Sequence, residues 1–433
     1  MELSILVLLV SFAILLALNV PISISIGIAT LLTMLFTIDA GPALLTIAQR
    51  MVGGINSFAL LAIPFFILSG ILMGRGGIAH RLIEFAKVMF GMFPGGLAFV
   101  NIISCTLFGA ISGSAVAATS AIGGFMVPVM KKEGYDKSFS AAVTVTASTT
   151  GLLIPPSNIL IVYSLASGGV SIAALFIAGY IPGILLMLGL MAVCGVWAKL
   201  KGYPVGERIG FRDAIKKTLD AIPSLLLIII VIGGIIGGYV TATEASVIAV
   251  LYALLLSVVF YREVKVKELP GILIKSVETT AIVMLLIGAS SAMSWILSYE
   301  NIPQIISEGL IALSDNPIVI LLIINIVLLV VGIFMDMTPA VLIFTPIFLP
   351  VVTELGMSPL HFGIMMVLNL CIGLCTPPVG SVLFVGCGIA KTTIAQMIRP
   401  LLPMYFAMFV VLLLVTYIPA ISEALPRYFG LIN

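Results

Sequence analysis

The sequence predicts an all-α polytopic membrane protein: an inverted repeat with about ten crossings, two re-entrant hairpins and two broken helices. Three observations predict it. The 433 residues are 61% hydrophobic and 9% charged, against about 25% charged in a soluble domain, too few to cover a water-facing surface. The apolar segments are continuous, whereas strands of a β-barrel would alternate over about ten residues. Finally, "GLLIPPSN" at 151–158 and "GLCTPPVG" at 373–380 set a Pro-Pro pair inside an apolar segment of each half of the chain. Pro-Pro removes two N–H donors and cannot continue a helix.

Apolar segments fall at 3–18, 21–38, 55–73, 97–128, 139–165, 170–197, 223–240, 245–261, 277–298, 317–350, 361–388 and 401–418. The first lacks a basic n-region and a small-residue cleavage site, so it reads as a retained helix rather than a signal peptide. Segments 97–128 and 317–350 carry polar breaks at their middles, "FGAISGSAVA" and "FMDMTPAV". A crossing needs about 20 residues, so each of these is long enough to enter and return as a hairpin. The stretches 77–90 and 301–314 are shorter and more polar, and read as amphipathic helices along the interface.

The basic residues choose the topology. With hairpins at 97–128 and 317–350 and with both Pro-Pro segments crossing, 18 of 20 Lys and Arg fall on one side. These include Arg75, Lys131, Lys132, Arg208, Lys275 and Lys391; Arg50 and Arg427 fall on the other. This is the positive-inside pattern, and it puts both termini outside. Making the Pro-Pro segments the hairpins would place the basic run at 199–217 opposite Lys131, Lys132 and Lys137.

The halves align with one offset. Pro128, Gly134, Gly151, Pro155 and Pro156 pair with Pro350, Gly356, Gly373, Pro377 and Pro378. Gly134 is placed inside and Gly356 outside, so the repeat is inverted. Inverted repeats with broken helices near the midplane mark secondary transporters; a single break could be a silent Pro kink.

A break exposes carbonyls at one helix end, which suit cations, and N–H groups at the other, which suit anions. One hairpin tip offers Ser112, Gly113 and Ser114; the first break offers Thr150, Gly151, Pro155, Pro156, Ser157 and Asn158. The second tip offers Asp336, Met337 and Thr338, facing Gly373, Thr376, Pro377, Pro378 and Gly380. Oxygen-only donors suit hard cations. Asp336, the one ionisable residue mid-hairpin, reads as functional and as a helix cap. No Lys or Arg lies at a tip or break, so co-bound cations would have to help hold an anionic solute. Glu244 reads as a cap, Trp197 and Trp295 as interfacial anchors. His80 and His361 receive no role. Cys371 and Cys375 share a helix face, with no His or carboxylate near enough to suggest a metal site. Neither a nucleophile–base pair nor metal ligands at matched depth point to an enzyme. A net charge of +2 without a basic stripe gives no reason for nucleic acid.

The stretches "IPFFILSGILMGRGGIAHRL", "FGAISGSAVAATSAIG", "GLLIPPSN", "TATEA", "PIFLP" and "GLCTPPVG" spread over nearly the whole chain. In them the sequence resembles the large membrane subunit of tripartite ATP-independent periplasmic (TRAP) transporters. The resemblance implies sodium-coupled uptake of a small organic acid, sialic acid or a C4-dicarboxylate, across the bacterial inner membrane by an elevator motion. It implies two or more sodium ions and no organic cofactor. The first ion is expected at Ser112, Gly113, Ser114, Gly151, Pro155 and Ser157. The second is expected at Asp336, Met337, Thr338, Gly373, Thr376 and Pro378, with substrate contacts at Ser114, Asn158, Thr338 and Gly380. The implied partners are a small membrane subunit as a separate chain, a periplasmic substrate-binding protein, and anionic lipids against the basic inner loops. The implied division is scaffold at 1–95 and 223–316, transport domain at 96–198 and 317–433, and a cytoplasmic linker at 199–222. A stand-alone ion-coupled carboxylate carrier is the alternative.

Overall fold

The computed structural model describes residues 2–205, 210–314 and 316–432. Arg208, one of the expected inner cations, lies outside the described residues. Apart from one isolated bridge between Pro94 and Val205, regular structure among the described residues is helical, as expected.

The chain begins with Glu2–Ala17 and Ile22–Thr37. Asn19, at φ 59°, turns the chain between them; asparagine tolerates the left-handed region, and Pro21 restarts the helix where no N–H partner is needed. Residues 39–54, left between expected crossings, form a further helix, Ala40–Ile55. Its one buried residue is Ala43, so it lies on the outside of the bundle. Phe58–Arg75 follows. The expected interfacial helix appears as Ile78–Phe90, burying Ile78, Leu82, Ile83 and Ala86 on one face. The opposite face holds Glu84, whose two carboxylate oxygens pair with Lys87 at 2.7 Å and Lys217 at 2.8 Å.

Gly96–Ser112 and Ala115–Lys132 fold back on each other through a turn at Gly113 and Ser114. Gly113 has φ 62°, and the Ser114 hydroxyl accepts from the Ala117 N–H at 3.2 Å. Pro317–Phe334 and Met337–Glu354 do the same through Met335 and Asp336. The Pro-Pro segments are each split, into Lys137–Thr150 with Asn158–Ala166 and Pro359–Cys375 with Ser381–Ala390. Both Pro-Pro bonds are cis. The offset that carries Pro155 onto Pro377 also carries Ala115–Lys132 onto Met337–Glu354 end to end.

The repeat is less regular elsewhere. The third helix of the second unit runs unbroken as Leu269–Tyr299, whereas the first unit interrupts its counterpart at Asn56 and Ser57. The linker expected at 199–222 is shorter. Tyr180–Lys201 runs into it and Phe211–Ile236 begins inside it, because the polar residues 212–220 extend a helix out of the apolar layer, with Asp213 favourably in its first turn. Ile394–Tyr417 is followed by a short helix, Ala420–Tyr428.

The helices pack as two groups. The four from Glu2 to Arg75 pack with Phe211–Ile236, Ala242–Phe260 and Leu269–Tyr299. The helix-turn-helix pairs and split helices pack with Tyr180–Lys201 and Ile394–Tyr417. Ile78–Phe90 and its counterpart Ile302–Leu313 touch both groups.

The split helices form the centre of the second group: 138–150 and 360–375 are buried throughout. Polar pairs tie each to a neighbouring hairpin arm, Asn101 Nδ2 to Thr144 Oγ1 at 2.7 Å and Asn369 Nδ2 to Asn325 Oδ1 at 2.8 Å. Interhelical hydrogen bonds of this kind are the adhesive available between apolar helices. The thiols of Cys371 and Cys375, on one helix face as expected, donate across to the carbonyls of Thr149 and Val145.

Candidate functional site

One cavity of ≈ 750 Å³ is lined by both hairpin tips. Ser112, Gly113 and Ser114 come from one; Asp336, Met337 and Thr338 from the other. The starts of the second halves of both split helices reach the same space, through Asn158 and Ser381. Each tip is thus presented by a turn between two helices, and each helix start by a Pro-Pro break. The first group of helices supplies the opposite wall, with Ile67, Gly70 and Ile71. Arg75, Lys275 and Thr279 line that wall too.

Two polar atoms in this cavity lack partners. Asn158 Oδ1 and Ser381 Oγ are buried without a hydrogen bond. Buried polar atoms are normally satisfied, so these two are open to a water, an ion or a ligand in the cavity. They stand where half-helix N–H groups also converge. The Asn158 amide lies over Gly113, where an added Cβ would sit 2.6 Å from Nδ2. Gly113 is therefore favoured by its φ, and a Cβ there would displace the Asn158 amide.

The expected site residues divide. Ser112, Ser114, Asn158, Asp336, Met337 and Thr338 line the cavity with Gly113. Asp336 stands at the N-cap of its return helix without a side-chain capping bond, so the expected cap is occupied in position only. Gly151, Pro155, Ser157, Gly373, Thr376, Pro378 and Gly380 do not line it. The Ser157 hydroxyl donates to the Leu152 carbonyl at 2.5 Å, and the Thr376 hydroxyl to the Ile372 carbonyl at 2.7 Å. Both satisfy their own segment's backbone. The Gly380 N–H donates to the Ile333 carbonyl at 3.3 Å, tying the second break to the second tip. Tyr405 donates its hydroxyl to the Cys375 carbonyl, occupying one of the carbonyls freed by that break. Gly151 and Gly373 serve packing. A Cβ on Gly151 would lie 2.6 Å from the Gly109 Cα, and one on Gly373 2.6 Å from the Gly332 Cα.

Sequence reasoning missed Ser381, which follows its Pro-Pro break much as Asn158 follows the first. It also missed Arg75 and Lys275, since both sit at helix ends on the facing group. Lys275 is held 3.5 Å from Glu278 in an exposed pair. Other assignments come out as follows. Glu244 does cap, in a reciprocal box with Thr241. Trp197 stacks on Phe139 at 5.7 Å, so it packs within the bundle. His361 is buried, bonded by its ring nitrogens to Ser422 and the Thr416 carbonyl, and fastens the C-terminal helix to the second split helix.

The two tips, the two breaks and the shared cavity define a polytopic transporter permease. A family model described as the tripartite ATP-independent periplasmic transporter, DctM component, matches residues 9–421, and the chain belongs to that family. It is 54% identical over 426 residues to the uncharacterized protein YgiK of Salmonella typhimurium, covering 98% of each chain. It is 39% identical to the C4-dicarboxylate TRAP transporter large permease protein DctM of Rhodobacter capsulatus, covering 98% of this chain and 99% of that one. It is 38% identical to the sialic acid TRAP transporter large permease protein SiaM of Vibrio cholerae, covering 88% and 89%. Among solved structures, the fold is similar to the YdaH transporter of Alcanivorax borkumensis, with a TM-score of 0.61 at 15% identity over 90% and 89% of the chains. The protein is a multi-pass permease of the bacterial inner membrane, not an enzyme.

Proposed function

We propose that this permease carries a small organic acid inward together with sodium ions, receiving it from a periplasmic binding protein. The observation that carries this reading is the single cavity shared by both tips, one from each half of the chain. Its donors suit both loads. Ser112, Ser114, Thr338 and Asp336 offer oxygens to hard cations. The helix starts at Asn158 and Ser381 offer N–H groups and orphan oxygens to a carboxylate and its hydroxyls. The substrate class is that of the relatives, a C4-dicarboxylate or sialic acid. Gly151, Pro155, Ser157, Gly373, Thr376 and Pro378 shape the breaks and place the donors rather than bind from the cavity.

In this reading the helix-turn-helix pairs are re-entrant, the halves are inverted, and the second helix group moves as an elevator against the first. The moving group is 96–198 with 317–433; the scaffold is 1–95 with 223–316. Arg75 and Lys275 belong to the inner side, so the cavity opens to the cytoplasm. The family's tripartite character supports a small membrane subunit and a binding protein as partners, and the basic inner loops suit anionic lipid headgroups.

Reconstituted with its small subunit and binding protein, the permease should take up succinate or N-acetylneuraminate only when sodium is present outside. Replacing sodium by potassium should abolish accumulation. Full accumulation in potassium would sink the coupling.

A further inference from the structure

A second cavity, of ≈ 380 Å³, lies between the two helix groups and shares a wall helix with the first. Lys275 and Thr279, near the start of Leu269–Tyr299, line the tip cavity. Ser290, Ser291, Ser294, Trp295 and Ser298, near its end, line the second. At 1.5 Å per residue, Lys275 and Ser294 stand about 28 Å apart along one helix. The two cavities are therefore stacked across the layer.

The second cavity is built for an anion. Arg50, exposed on Ala40–Ile55, reaches it with its guanidinium 5.5 Å from the centre of the Trp295 ring. No carboxylate pairs with Arg50 among the described residues. Ser290 is 2% exposed, and its hydroxyl is buried without a hydrogen-bond partner. A cation with no carboxylate partner, an aromatic face and an orphan buried hydroxyl together match a carboxylate, which a guanidinium binds through two parallel N–H bonds. Leu165 and Leu342 bring the tip-bearing group to its other wall.

We propose that this crevice is an outer receiving station for the carboxylate of the solute, with Arg50 its principal contact. A solute released at the periplasmic face is held there on the scaffold before the tip cavity comes level with it. The inference rests on the proposed orientation, with Arg50 on the periplasmic side.

The test uses Ser294→Cys in right-side-out membrane vesicles carrying the full permease. All five native cysteines are buried, so a membrane-impermeant maleimide reports position 294. Labelling from outside is expected, slowed by succinate. Adding Arg50→Gln should raise the succinate needed for equal protection about tenfold or more, the scale of losing a charged hydrogen bond. Removing sodium, or adding Asp336→Asn, should leave protection unchanged. Ser298→Cys repeats the measurement should Ser294→Cys fold poorly. The station is overturned by labelling that succinate never slows, or by protection indifferent to Arg50→Gln. Protection given by anionic lipid but not by succinate assigns the crevice to a lipid phosphate and equally overturns it. Loss of protection only with sodium removal or Asp336→Asn would reject the station while keeping the tip cavity, and labelling from the inner side alone would reject the orientation.

Discussion

At the residue scale, two glycine contacts set the tolerances of the site. Gly109 meets Gly151, and Gly332 meets Gly373, each joining a hairpin arm to a split helix. A Cβ on Gly373 would lie 2.5 Å from the Gly332 carbonyl carbon, with backbone on the far side and nowhere to move. Gly373→Ala should therefore destabilise the protein by about 1–3 kcal/mol, the usual cost of overpacking. Gly388→Ala, with open space around it, should be neutral or slightly stabilising. Thermal melting in detergent separates the two; equal melting temperatures would contradict the contact. The tip serines give a functional counterpart. Both line the cavity, so Ser112→Ala combined with Ser114→Ala should raise the sodium concentration for half-maximal uptake. An unchanged sodium curve would remove that tip from the ion site. The glycines and prolines were legible in sequence because backbone geometry admits few residues at a break. The hydroxyls were not. Nothing in the sequence says that Ser157 and Thr376 satisfy their own carbonyls while Ser381 is left free.

At the element scale, the amphipathic helix Ile78–Phe90 is held by charge as well as by its apolar face. Burial raises the Glu84 carboxyl, but hydrogen bonds and charge from Lys217 and Lys87 outweigh it and leave the group below its ordinary 4.5. A depressed carboxylate stabilises the fold above its ordinary range and loses that contribution as pH falls through the depressed value. The melting temperature of wild type should exceed that of Glu84→Gln near neutrality, with the gap closing as pH falls below 4.5. A gap constant across that range would contradict the pairing. This helix was legible because its apolar positions recur at helical spacing. Ala40–Ile55 was not, since its buried share is one alanine and its glycines resemble a loop. The start of Phe211–Ile236 was hidden for a related reason: the charges that mark a solvated linker also mark the polar end of a long helix.

At the scale of the whole molecule, charge placement and one repeat offset made the architecture legible. In the proposed topology, the positive-inside count is what assigns the helix-turn-helix pairs as hairpins and the split helices as crossings. What it cannot show is which oxygens converge, because that depends on how two units far apart in sequence fold around each other. The facing wall, with Arg75 and Lys275, was likewise beyond a search confined to tips and breaks. The central claim is that both tips build one cavity reached alternately from the two sides of the membrane. Side-resolved labelling of Thr338→Cys tests it most directly, since Thr338 lines the cavity and the native cysteines are buried. The account predicts reaction with an impermeant maleimide from the cytoplasmic side at rest, and from the periplasmic side once sodium and loaded binding protein are supplied. Reaction from one side alone under every condition would contradict it.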